Sequence, residues 1–267
     1  MENLTTLLLD SAYEGHVITA KELLDRDPGI VDCRDECSHT SLMLAAGEGH
    51  LPVVQLLLEC GANIRLTDKT GEDALKKACT RRGNAEIVAL LLDGGASVHV
   101  TCESGRTALI EACSVGDEEM VKKLLDRHPN VNHVTCDDET PLSFAIVNGT
   151  TAIVKLLIEA GANVNRIDGR GGIPLGDAVF EQQADKVEIL LDANADPAQS
   201  DGYVLTLAIA SYARTLALLG ANFRIIRQVA ARCSVENLRA ASEKANQPDL
   251  AEIRDLLLRL AAESSNA

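Results

Sequence analysis

Three side chains with affinity for metals stand close together early in the chain: Cys33, Cys37 and His39. Thiolate and imidazole are donors that zinc selects, and one loop can present all three. Zinc needs four ligands, or three and a water, and no second pair with metal-ligand spacing lies nearby. The expectation is no metal and no cofactor. Gly169-Arg170-Gly171-Gly172 is glycine-rich, but it lacks the Gly-Lys-Ser/Thr ending of a phosphate loop, so turn chemistry accounts for it. His-Glu-x-x-His and Gly-x-Ser-x-Gly are both absent, and no nucleophile–base arrangement stands out. The chain reads as a non-enzyme.

The elements that must position these residues are short helices and tight turns, most legible in 140–168. Thr140 suits a helix N-cap and Pro141 the first helical position. Gly149 ends that helix and Thr150 or Thr151 caps the next, an apolar run with Ile153, Val154, Leu156, Leu157 and Ile158. Gly161 sits where a left-handed residue closes a helix, ahead of an extended finger that reaches Asp168. Helices this short are marginal in isolation, so the unit must bury its apolar face against copies of itself.

The copies are present. Leucines recur at Leu42, Leu75, Leu109, Leu142 and Leu175, with an alanine three residues later at Ala45, Ala78, Ala112, Ala145 and Ala178. Helix ends recur as Gly61-Ala62-Asn63, Gly95-Ala96-Ser97, Gly161-Ala162-Asn163 and Gly220-Ala221-Asn222. An acid stands seven before the leucine at Asp35 and Asp68 and recurs at Asp168. This 33-residue grammar resembles the ankyrin repeat over residues 4–222. The family's Thr-Pro-Leu-His reads Thr-Ser-Leu-Met at Thr40, Asp-Ala-Leu-Lys at Asp73, Thr-Ala-Leu-Ile at Thr107 and Thr-Pro-Leu-Ser at Thr140. At Ile173 it reads Ile-Pro-Leu-Gly, so the histidine and its hydrogen-bond network are missing from every unit. The expected fold is an all-α solenoid of about six to seven repeats with helical caps at both ends.

The expected organisation is an N-terminal capping repeat at 1–35, five ankyrin-type repeats at 36–201, a shortened degenerate repeat at 202–222 and a helical cap and tail at 223–267. The third unit carries an extra residue near Arg81-Arg82-Gly83, which lengthens its inter-helix turn. The fourth replaces Gly-Ala-Asn with His128-Pro129-Asn130. His99-Val100-Thr101-Cys102 is echoed one register out by His133-Val134-Thr135-Cys136, and these two fingers are expected to lose a turn contact that the acid otherwise makes. In the cap, Leu238 and Ala241 echo the leucine and alanine columns, and 263–267 is expected to fray.

With 46% hydrophobic residues the chain has ample material to bury, but aromatics are only 2%, so stacking must rest on aliphatic side chains. The formal charge of -15 repels phosphate backbones, and few rings remain on which bases stack, which argues against nucleic acid. Met1 to Asp10 lacks a basic n-region, no apolar run reaches spanning length, and eight scattered cysteines read as reduced thiols. A cytoplasmic or nuclear protein without membrane insertion is expected.

The resemblance implies a site. In similar proteins, partners contact the finger tips and the exposed side of each first helix. Carried over by position, this face takes Tyr13 from the first unit and Glu36, His39 and Glu48 from the second. It takes Lys69, Glu72 and Arg81 from the third, and Glu103 and Arg106 from the fourth. Asp137 and Glu139 represent the fifth, Arg170 and Phe180 the sixth. Tyr13, Arg81, Arg106 and Phe180 are the expected anchors, since Arg and aromatic residues dominate interface hot spots. The family also suggests Asn132 and Asn165 as modification sites. The implied function is a monomeric adaptor or scaffold that binds another protein, with a basic surface favoured by the charge. A direct inhibitor that masks a basic partner, and a thiol- or metal-responsive regulator, are the alternatives.

Overall fold

The computed structural model describes residues 4–169, 171–198, 204, 223–245 and 251–265. The described residues are helical, joined by turns, and two isolated bridges, Arg34 with Thr40 and Thr101 with Thr107, supply the only strand-like pairing among them. The chain divides into two compact units, Met1–Leu156 and Leu157–Ala267.

The first unit holds paired helices. They are α1 (Leu4–Glu14) and α2 (Val17–Arg26), α3 (Ser41–Glu48) and α4 (Leu51–Glu59), α5 (Ala74–Ala78) and α6 (Ala85–Asp93), and α7 (Ala108–Val115) and α8 (Glu118–Leu125). α9 (Pro141–Val147) and the start of α10 (Thr151–Glu159) follow. First helices pack in sequence, α1 on α3, α3 on α5, α5 on α7 and α7 on α9. Second helices form the other layer, α2 on α4, α4 on α6 and α6 on α8.

The helix starts follow the local chemistry. Thr140 Oγ1 accepts the Ser143 N–H at 3.2 Å while Ser143 Oγ accepts the Thr140 N–H at 2.8 Å, a reciprocal cap. Thr40 and Met43 form the same box with sulfur as the returning acceptor. The histidine absent from this position is thus replaced, in these two units, by side chains that still satisfy the cap. Thr150 Oγ1 caps α10 through the Ile153 N–H, and Gly161 takes a φ of +92°. The five anchor leucines and their five alanines are buried. Truncating one such leucine costs about 2–5 kcal/mol, so this column carries much of the fold.

The lengthened turn of the third unit is used. Arg82 Nε donates to the Val115 carbonyl at 2.7 Å and the Gly83 N–H to Asp117 Oδ2 at 2.9 Å, tying the extra residue to the next unit. At the altered helix end, His128 adopts a left-handed φ of 52° in place of glycine.

The second unit contains α11 (Pro174–Phe180) and α12 (Ala184–Asp192), then α13 (Phe223–Ala230), which packs on α12, and the pair α14 (Val235–Lys244) and α15 (Ala251–Ser265). Leu238 and Ala241 are buried, as their echo of the anchor columns implies. The expected frayed tail is corrected: α15 continues through Glu263 to Ser265. Its buried Ile253, Leu257 and Ala261 repeat every fourth residue, a stripe that docks the helix and carries its last turn. The shortened repeat expected at 202–222 lies outside the described residues, apart from Val204, which is helical and buried.

Candidate partner-binding groove

Each finger is a tight turn closed by the residue seven before the anchor. Asp35 Oδ1 accepts the N–H groups of Cys37 and His39, each at 2.8 Å. Asp68 Oδ1 accepts from the Thr70 N–H, the Thr70 hydroxyl and the Glu72 N–H at 2.8, 2.7 and 2.9 Å. Asp168 Oδ1 takes the Gly172 N–H at 2.6 Å. The two fingers without the acid keep a reduced version of the contact, which corrects the expected loss. Thr135 Oγ1 accepts the Glu139 N–H at 3.1 Å, and Cys102 Sγ lies 3.0 Å from Ser104 Oγ. In both, a side-chain polar atom occupies the address that the carboxylate oxygen fills in the other fingers.

Fingers then join through their backbones. The Lys69 N–H donates to the Cys37 carbonyl at 3.1 Å, the Glu103 N–H to the Thr70 carbonyl at 3.0 Å and the Cys136 N–H to the Ser104 carbonyl at 3.0 Å. This ladder fixes the tips in a row and leaves Glu36, Lys69, Glu103, Asp137 and Glu139 exposed along it. The cavities on this face include two larger ones. One, of about 470 Å³, is lined by residues including Cys37, His39, Glu72, Lys77 and Cys102. The other, of about 870 Å³, is lined by residues including Tyr13, Arg34, Glu36 and His39.

Beneath the row lies a charge network that the repeat pattern did not disclose. Lys76 occupies the column that holds Met43 and Ile110 in neighbouring units, and its side chain is 1% exposed. Its Nζ meets Glu72 Oε1 at 2.5 Å and Glu111 Oε1 at 3.4 Å. Lys77 Nζ pairs with Glu72 Oε2 at 2.5 Å and stands 2.9 Å from Asp68 Oδ2, an ion pair without an aligned hydrogen bond. Arg106 pairs with Glu111 at 2.8 Å while its guanidinium lies 4.6 Å from the Phe144 ring centre. Burial disfavours the ionised forms of Asp68 and Glu72, but Lys77, Thr70 and the turn N–H groups outweigh it at Asp68, and the two lysines at Glu72, so both carboxyls are held below their usual range. The signal for Lys76 was the one charge in a column that otherwise reads Met43, Ile110, Ser143 and Gly176.

Two of the expected anchors are therefore engaged within the chain, Arg106 as described and Arg81 with Glu48 at 2.7 Å. Tyr13 and, in the second unit, Phe180 are exposed aromatics. Arg170 lies outside the described residues. Asn165 binds the following finger, its Nδ2 donating to the Asn194 carbonyl at 3.0 Å and its Oδ1 accepting the Asp196 N–H at 2.8 Å. Asn132 is exposed, with its N–H on Asn130 Oδ1.

All eight cysteines are free thiols. Burial pushes Cys79, Cys113 and Cys233 up, the last to about 11. Cys102 moves the other way: burial raises it, but the Lys76 ammonium, Ser104 and neighbouring backbone N–H groups together lower it. Cys33 Sγ points to the Thr5 carbonyl and Ser41 Oγ, and Asp35 instead gathers with Cys37 and His39. No helix among the described residues is long and apolar enough to cross a membrane.

A family model described as ankyrin repeats in three copies matches residues 2–68, 42–135, 75–168 and 112–201. Ankyrin repeat domain-containing protein 63 of Homo sapiens is 41% identical over 85 residues, covering 29% of this chain and 22% of that protein. The serine/threonine-protein kinase VIK of Arabidopsis thaliana is 35% identical over 65 residues, 24% of this chain and 15% of the kinase. A probable E3 ubiquitin-protein ligase, XBOS33 of Oryza sativa subsp. japonica, is 36% identical over 73 residues, 27% of this chain and 14% of the ligase. Each match spans less than a quarter of the relative's length.

Proposed function

The chain belongs to the ankyrin-repeat family, whose repeats are general protein–protein interaction modules, and from that premise we propose that it is a non-enzymatic adaptor whose groove binds a partner protein with a basic surface. The observation that carries this reading is the row of finger tips. Backbone bonds hold it rigid, so a partner meets a preformed surface and the cost of ordering loops on binding is small. The row is predominantly acidic, with Glu36, Glu103, Asp137 and Glu139 exposed and Lys69 the exception. Opposite charge steers encounter and suppresses wrong partners. Exposed Tyr13 beside the 870 Å³ cavity offers an aromatic anchor at one end of the row. On this reading the segments 1–35 and 223–267 serve as caps, and a cytoplasmic or nuclear setting suits the free thiols.

A second reading, a direct inhibitor, is favoured by the same acidity: a net charge of -15 suits covering a partner's own basic site. Capture from a cell lysate tests both. The bait is the full chain, compared with a groove variant (Glu36→Lys, Glu103→Lys, Asp137→Lys) and a variant of the second-helix layer (Glu86→Lys, Glu119→Lys). Partners lost only by the groove variant, with circular dichroism unchanged, support the adaptor. Partners lost only by the second-helix variant overturn the groove assignment. Loss of a captured partner's own activity on binding selects the inhibitor.

A further inference from the structure

The finger at 35–39 differs from its neighbours in what it carries. The positions seven, five and three before the anchor read Asp35, Cys37 and His39 here. In the next three fingers they read Asp68, Thr70 and Glu72, then Cys102, Ser104 and Arg106, then Thr135, Asp137 and Glu139. The turn brings alternate residues to one side, with Ser38 between them at a φ of 66°. One ligand atom from each of Asp35, Cys37 and His39 then lies within 4.8 Å of the other two.

The orientation of each donor is set by the turn itself. Asp35 Oδ1 is occupied by the N–H groups of Cys37 and His39, which leaves Oδ2 directed at His39 Nδ1, 2.8 Å away. The other ring nitrogen, Nε2, lies 3.5 Å from Asp68 Oδ2 on the adjacent finger. Asp68 is not part of the cluster; its side chain is 2% exposed and three donors hold its Oδ1. A buried carboxylate behind the far nitrogen of a histidine is the outer partner that orients metal-binding imidazoles and fixes their tautomer. Here Asp68 Oδ2 faces Nε2 at 3.5 Å, while Nδ1 faces Asp35 Oδ2 at 2.8 Å.

From this geometry we propose that Asp35, Cys37 and His39 form a binding site for a zinc-class divalent cation, with Asp68 as the outer carboxylate. Binding replaces the proton between His39 Nδ1 and Asp35 Oδ2 and displaces the thiol proton of Cys37. One cation enters, the thiol proton leaves to solvent, the ring proton passes from Nδ1 to Nε2 on the Asp68 side, and water completes four-coordination. Zinc takes sulfur at about 2.3 Å and nitrogen or oxygen at about 2.0 Å, so the three exposed or half-exposed donors close inward by roughly an ångström. A thiolate and an imidazole select against calcium and magnesium, which take oxygen. The sequence reading grouped Cys33 with Cys37 and His39 and expected no metal because no second ligand pair lies nearby. Cys33 points elsewhere, and Asp35, which the repeat pattern had assigned to the turn, supplies the third donor. The site borders both groove cavities, since His39 lines each.

The test is calorimetric titration of the reduced full chain with zinc chloride, paired with cobalt(II) absorption spectroscopy. The wild type is expected to bind one equivalent and to show a thiolate-to-cobalt charge-transfer band. Cys37→Ser is expected to lose the band, and Cys37→Ser and His39→Asn each to weaken zinc at least tenfold. Cys102→Ser, in the same groove, should leave both readouts unchanged. All of these residues are exposed or half-exposed, and unchanged circular dichroism identifies variants that fold. Asp68→Asn, which keeps the turn acceptor but not the charge, should weaken zinc without abolishing the band. The proposal is overturned if the wild type binds no equivalent, or if zinc binds equally well to folded Cys37→Ser and His39→Asn.

Discussion

Asp73 caps α5 where Thr40, Thr107 and Thr140 cap the corresponding helices, and replacing it with threonine should stabilise the protein at neutral pH. Its Oδ1 accepts the Lys76 N–H at 2.8 Å, and the residue is 1% exposed. Burial raises its carboxyl from 3.8 to about 6, and the backbone donors and the Lys76 charge recover only part of the penalty. Between these two values the folded chain retains a proton that the unfolded chain has released, so the site's contribution to stability falls as pH rises through that window. Above pH 6 the cost is complete, about 3 kcal/mol for a shift of roughly two units. Opening of so short a helix admits water and lowers the realised value, so Asp73→Thr should gain about 1–3 kcal/mol at pH 7. Threonine keeps the cap and removes the buried charge. The assay is urea unfolding of wild type and variant at pH 7 and pH 4, followed by helix ellipticity. The midpoint of the variant should exceed the wild type at pH 7, and the difference should shrink at pH 4. A variant less stable at pH 7, or a difference independent of pH, would show that the ionised carboxylate is well accommodated and would refute the reasoning.

Two further substitutions probe the same elements. Lys76→Met should change stability by no more than about 1 kcal/mol in denaturant unfolding, because Glu72 keeps Lys77, Glu111 keeps Arg106, and Met43 fills the equivalent site. Glu72→Gln should cost more, about 2–4 kcal/mol, since it removes the 2.5 Å carboxylate partner of the buried Lys76 ammonium and leaves Glu111 at 3.4 Å as its nearest charge; equal losses for the two would sink the assignment of the network. Gly149→Ala should lower the thermal midpoint, by an amount corresponding to about 1–3 kcal/mol, because an added Cβ would stand 2.8 Å from the Ala145 carbonyl oxygen and 2.9 Å from its Cα.

The fold was legible because its signals are local and repeat. Leu42, Leu75, Leu109, Leu142 and Leu175 share one burial environment, and five copies of one column outweigh irregularities within any unit. Capping at Thr140 was readable for the same reason. Interactions between units were less so. The Lys76 network joins residues 35 positions apart, Lys76 to Glu111, and a charge in a column of uncharged residues marks an anomaly without naming its partners. The Asp35–Cys37–His39 cluster was half legible: all three lie in one finger, but a thiol two residues outside the turn suggested the wrong third donor. The end of α15 was misread because frequent small and polar residues at 261–265 conceal that Ala261 closes a buried stripe.

The network also redistributes the groove. The column three before the anchor reads His39, Glu72, Arg106, Glu139 and Gly172, and by position alone all five are candidates to meet a partner. Glu72 is held by two lysines and Arg106 by a carboxylate and a ring, so a ligand that recruited either would first have to break contacts on an ion largely withdrawn from water. That cost falls on binding and offsets the new contact. Glu139 and His39 carry no such tie to Lys76, and the exposed tips Glu36, Lys69, Glu103 and Asp137 project beyond it. On the proposed adaptor reading, recognition is thereby moved outward from the floor of the groove to its rim. There each side chain is free to change charge with little effect on the stack, while the floor holds the third and fourth units in register.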